Sequence, residues 1–147
     1  MKLNFLCAHH RTWLQGHPEV ALSTCITSYE QGINLIEDNN FRAAANHAGC
    51  ALEAAQIVLG QQVPDADHVG RFSDAGVLLV YALQLLGEDE TATKVHGGVL
   101  SYLERKVQAY GSRSGLVEAL QRWMKLADEM AVYAPPVQPQ VASMLLH

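Results

Sequence analysis

The stretch from Phe41 to Leu59 constrains this chain more than any other. Phe41, Ala44, Ala48, Ala51, Ala55 and Val58 fall at steps of three and four, the period of one helix face. The other sides are nearly as small, because Ala43, Ala45, Gly49, Cys50 and Ala54 lie between them. Small side chains let neighbouring helix axes approach at the short end of a roughly 8–10 Å range. Such a helix is expected in the middle of a bundle, packed on two faces. Asn40 is placed to cap its start, and Gly60 marks its end.

The same spacing recurs on both sides of it. After His17-Pro18, with Glu19 at the positive helix end, Leu22, Ile26, Tyr29, Ile33 and Ile36 form one apolar stripe with Cys25 and Gly32 beside it. Downstream, Val69, Phe72, Gly76, Leu79, Leu83 and Leu86 make a third helix closed by Gly87. Ala92, Val95, Val99, Leu103 and Val107 make a fourth, stopped by Gly111. Leu116, Leu120, Trp123, Ala127 and Met130 make a fifth, with Ser112 or Ser114 as its cap. A short helix within Asn4 to Gln15 and a turn over Val141 to Leu145 are weaker candidates. No stretch alternates apolar and polar residues with β-branched enrichment, so no strand is expected.

The reading is an all-α, compact bundle of about five antiparallel helices in one domain. Its parts are an N-terminal segment over 1–16, a hairpin over 18–60, a second hairpin over 68–110, a fifth helix over 114–134 and a Pro-containing tail over 135–147. Two short echoes pair the hairpins: Asn34-Leu35-Ile36-Glu37-Asp38 with Gln84-Leu85-Leu86-Gly87-Glu88, and His47-Ala48-Gly49 with His96-Gly97-Gly98, at offsets of 50 and 49.

Charge narrows the partners. A net charge of −5 argues against a nucleic-acid backbone, and the aromatic residues are not interleaved with basic ones as base stacking would need. From Ser28 to Glu90 ten acidic side chains face only Arg42 and Arg71, while from Thr91 onward six basic residues outnumber four acidic ones. The plainer reading of that asymmetry is a solvated acidic surface, and the alternative is a basic partner or head-to-tail self-association. No apolar run approaches the ~20 residues of a membrane span. Three cysteines without a Cys-x-x-Cys unit, and no signal-peptide apolar region after Met1, fit a reducing cytoplasm.

The first hairpin resembles a tetratricopeptide repeat, in which two antiparallel helices cross over small residues. Gly32 stands at the small position of the first helix, and Phe41, Ala44 and the pair Ala51-Leu52 stand at matching spacings of the second. The resemblance covers about Cys25 to Leu59, roughly one 34-residue repeat. The second hairpin departs from it: Thr93 and Leu100 replace the alanines, and the interval is nearer 49 than 34. The resemblance implies a non-enzymatic module whose first helix lines a groove for a partner, with Ile26, Tyr29, Ile33 and Ile36 facing it. An open groove would take an apolar or amphipathic segment. If Met1 to Gln15 or the third helix, Val69 to Leu86, covers these residues, they are core. A homodimer burying the same stripe is a further arrangement.

Chemistry finds little to stand on. Cys7, His9 and His10 cluster without a second set at zinc-finger spacing. His47 and Cys50, three apart on one helix face, could be two metal ligands, and with His96 they motivate the alternative of a small-ligand or metal-binding bundle. No Glu-x-x-His pattern supplies carboxylates for a di-iron site. Gly111-Ser112-Arg113-Ser114-Gly115 has the glycines of a serine-hydrolase elbow, but Arg113 stands where the nucleophile belongs. No catalytic residue, resident metal or cofactor is therefore expected.

Overall fold

A computed structural model describes residues 4–61 and 63–133. Among them six α-helices follow one another: α1 (Ala8–Gln15), α2 (Pro18–Glu37), α3 (Phe41–Gln61), α4 (Ala66–Leu85), α5 (Asp89–Tyr110) and α6 (Leu116–Tyr133). A 3₁₀ turn over Arg113–Gly115 precedes α6. The described residues include no strand, and none of their helices is long and apolar enough to cross a membrane. The count exceeds the expected five because the Asn4 to Gln15 candidate does form a helix. Val141 to Leu145 lies outside the described residues.

Local signals set most boundaries. Pro18 sits in the first turn of α2, and Asn40 Oδ1 accepts the Ala43 N–H at 3.4 Å at the start of α3. Asp65 Oδ1 accepts the Asp67 N–H at 2.8 Å, so α4 starts at Ala66, two residues before the expected hairpin boundary. Gly87 and Gly111 close α4 and α5 with φ of +75° and +70°, where a side chain would be strained. The serine caps expected for α6 are corrected. Ser112 makes no capping bond. Ser114 adopts φ +59° and donates its hydroxyl to the Pro64 carbonyl, tying the start of α6 to the α3–α4 connection.

Each helix packs chiefly on its chain neighbours. α3 lies between α2 and α4, and α5 packs on both α4 and α6, while α4 also touches α2 and α6 directly. The hairpins α2–α3 and α4–α5 begin at Pro18 and Ala66, and their second helices at Phe41 and Asp89, an interval of 48 residues in both cases. The two sequence echoes mark this repeat within two residues.

As expected, α3 is central, and from Ala51 to Leu59 only Gln56 is not buried. The inward face of α2 is a correction. Its buried residues are Ala21, Cys25, Ser28 and Gly32, the small row beside the stripe of large apolar residues. A methyl at Gly32 would stand 3.0 Å from Leu78 Cδ2 and 3.5 Å from the Ala44 carbonyl oxygen. Two small-surfaced helices in such close approach leave no room for the Ile26 or Ile33 side chain between them.

Two buried polar arrangements fix the ends. Glu53 in α3 is 3% exposed and accepts the backbone N–H groups of Phe5 (2.8 Å) and Leu6 (3.0 Å), and its Oε2 pairs with the Arg11 guanidinium at 3.0 Å. Phe5 lies over Gly49, where a methyl would come within 2.2 Å of its ring. At the other end, fully buried Trp123 of α6 donates its indole N–H to Ser73 Oγ of α4 at 3.0 Å. The Trp123 carbonyl accepts from Nε2 of buried His96 of α5 at 2.7 Å.

Candidate partner-binding face

Turning its small row inward leaves the larger residues of α2 on its flank. Glu19, Ile26, Glu30, Ile33 and Glu37 follow one another at steps of seven, four, three and four, so they share one ridge of the helix. Ile26 is 38% exposed and Ile33 half-buried, and neither joins a core cluster. Tyr29 and Ile36, one row nearer the interior, rest half-buried against the main core. Of the two expected covers, α1 packs around Leu14, Ala21 and Ile57 with Leu22 at its margin, and α4 stands beside α2 with Leu78 against Gly32, while α3 takes the opposite row.

α4 continues the face with Asp74, Val77 and Tyr81, also spaced by three and four, and Tyr81 is 50% exposed. Arg122 of α6 donates to Asp74 Oδ1 at 2.7 Å and to Ser73 Oγ at 3.3 Å. Both members of that ion pair are about half exposed, so it orients α6 more than it stabilises it. The Tyr29 phenol has its pKa raised, first by burial and then by the negative charge of Asp74, with Arg122 opposing. Tyr29 of α2 thus lies within the field of this ion pair, where α2 and α4 meet. The α4 part of the face, with Tyr81, is not among the residues that the sequence reading singles out. Its signal was the three–four spacing of Asp74, Val77 and Tyr81 beside the fully buried rows of α4, with Val77 half-buried against the main core.

The candidate ligand residues do not assemble. His96 is committed to the Trp123 carbonyl, and Cys50 directs its Sγ at the Phe5 carbonyl, 3.7 Å away. Cys7 caps α1 by accepting the His10 N–H at 3.3 Å, while His9 and His10 face solvent. Among the described residues no three His, Cys, Asp or Glu side chains converge as a metal site. A cleft of about 290 Å³ lies between the N-terminal segment and the start of α5, edged by the Arg42–Glu88 pair at 3.4 Å. Its lining lacks the convergent buried polar groups that fix a small ligand.

The three thiols differ in environment, and alkylation will show it. Cys7 is exposed. Cys50 is half-buried and its pKa is raised by burial and by Glu53. Burial pushes Cys25 up to about 11, partly opposed by Arg71. At pH 8 the thiolate fraction of Cys25 falls roughly a hundredfold below that of an ordinary thiol, and its access is closed as well. Peptide mass spectrometry after brief alkylation should find Cys7 modified first and Cys25 last, with Cys25 reacting fully only in denaturant. Modification of Cys25 at the pace of Cys7 would contradict the α2–α3 packing described here.

No family model, no curated protein and no solved structure matches the chain.

Proposed function

We propose that this chain is a non-enzymatic protein–protein interaction module whose α2–α4 face holds an apolar or amphipathic segment of a partner. Adaptor, regulatory accessory protein and chaperone are the roles that such a module serves. The observation that carries the reading is the inverted use of α2, which buries alanine, serine, cysteine and glycine and leaves Ile26 exposed and Ile33 half-buried outside the core clusters. Single exposed apolar residues are ordinary, but a spaced set spanning two adjacent helices is the usual mark of a contact surface. The tetratricopeptide-like part of the reading is supported by the first hairpin, where α2 and α3 cross over small residues, and by the first helices of the two hairpins standing side by side. On this reading the 48-residue interval reflects helices longer than those of a 34-residue repeat.

Because Ile33 contacts no core cluster, an aspartate there should leave folding intact and remove one of the face's central anchors. Capture from native extract by the purified protein should give a stoichiometric partner, and Ile33→Asp should weaken that capture by roughly tenfold with an unchanged melting temperature. Capture that survives Ile33→Asp and Tyr29→Ala together would remove the α2 face from consideration.

A further inference from the structure

Resting on the interaction reading above, we infer that the segment received by this face is a basic amphipathic α-helix, with Lys or Arg residues seven apart set against Glu30 and Glu37. The charge argument comes first. α2 spans 20 residues with Glu19, Glu30 and Glu37 and not one Lys or Arg. None of these three carboxylates has an ion-pair partner among the described residues. Asp74, on the same face, is paired with Arg122, and the buried Glu53 with Arg11. The face is thus apolar and carries unbalanced negative charge on its α2 wall.

The spacing supplies the shape of the partner. Ile26 and Ile33 are seven apart, Tyr29 and Ile36 are seven apart, and Glu30 and Glu37 repeat the interval four residues after each isoleucine. This is a heptad with β-branched residues at the a positions, Tyr29 and Ile36 at d, and glutamates at e. At a rise of 1.5 Å per residue the repeat is about 10.5 Å. A helix laid alongside matches that interval with its own heptads. An extended strand brings same-side residues back every ~6.8 Å and falls out of step. In helix pairs of this kind, flanking charges opposite glutamates at e select the partner, which makes Lys or Arg the complement.

The test uses the full chain and two synthetic helical peptides of about 21 residues, three heptads each. Both carry the same leucine seam, one with lysines and the other with glutamates at the flanking positions. Titrations followed by fluorescence anisotropy should show the lysine peptide binding at least roughly tenfold tighter than the glutamate peptide, with the preference shrinking at high salt. The double variant Glu30→Lys/Glu37→Lys, checked for unchanged helicity by circular dichroism, should invert the preference. Equal binding of the two peptides, indifferent to that charge reversal but lost in Ile33→Asp, would overturn the basic-helix inference and leave the interaction reading standing. Failure of both peptides to bind would overturn the inference. A homodimer in light scattering that Ile33→Asp dissolves would assign the face to a second copy and overturn it too.

Discussion

Replacing Trp123 by alanine should destabilise the domain by about 3–5 kcal/mol, the range for emptying a buried aromatic site. The side chain is fully buried, so its whole apolar area returns to water or becomes cavity. Two further contacts go with it: the indole N–H bond to Ser73 Oγ and the ring packing against His96, with centroids 5.4 Å apart. Trp123→Phe keeps most of the apolar contact and loses the indole bond, while Arg122 still donates to Ser73 Oγ, so a smaller loss of about 1–2 kcal/mol is expected. Gly76 reports on the same seat from α4, since a methyl there would stand 2.6 Å from Trp123 Cζ2. Gly76→Ala should therefore destabilise through overpacking, by about 1–3 kcal/mol, although alanine is the better helix former. Urea unfolding followed by far-ultraviolet circular dichroism measures all three. A Trp123→Ala loss below about 1 kcal/mol would mean that α6 is held by something other than this ring.

Glu53→Ala carries the second large effect, about 2–4 kcal/mol. The carboxylate is the acceptor for two consecutive backbone N–H groups and the partner of Arg11, whose guanidinium also donates to the Leu6 carbonyl at 3.2 Å. Without it, two donors at the α3 surface are left in a place that excludes water, and the segment from Phe5 through α1 loses its anchor. Glu53→Gln keeps one acceptor oxygen but turns an amide N–H₂ toward those donors, so it should recover little of the loss. Hydrogen exchange at the Phe5 and Leu6 amides should quicken by more than about tenfold in Glu53→Ala. Unchanged exchange at both amides would show that Phe5 over Gly49 suffices to seat the segment.

The helices were readable from the chain because spacing and stop signals are local. Gly87, Gly111, Asn40 and Pro18 act within a turn of themselves, and three–four periodicity survives whatever packs against it. What failed was the choice between adjacent rows. Leu22-Ile26-Tyr29-Ile33 and Ala21-Cys25-Ser28-Gly32 differ by one residue, about 100° of helix rotation. Hydrophobic size favours the first row as core, whereas the small surface of α3 selects the second. That selection depends on two helices at once, and periodicity within one helix does not contain it. Ser114 failed for a similar reason: its hydroxyl has a local use as a cap and a distant use on Pro64, and the distant one prevails. Glu53 had a visible signal, as the only acidic residue in an otherwise small and apolar helix, but its ligands lie 47 and 48 residues away. For the face, the four residues implied by the repeat resemblance do lie on one flank of α2, with Ile26 and Ile33 outermost. The α4 half required knowing which helix stands beside α2.

The succession of neighbours described above also shapes how the chain reaches its native state. Within each hairpin only three residues separate the helices, Asp38 to Asn40 in the first and Leu86 to Glu88 in the second. Bringing such segments together sacrifices little chain freedom, because the entropy of closure grows only with the logarithm of loop length. Most native contacts thus form between parts of the polypeptide that are already close, the topology associated with rapid folding and with few opportunities for mispairing.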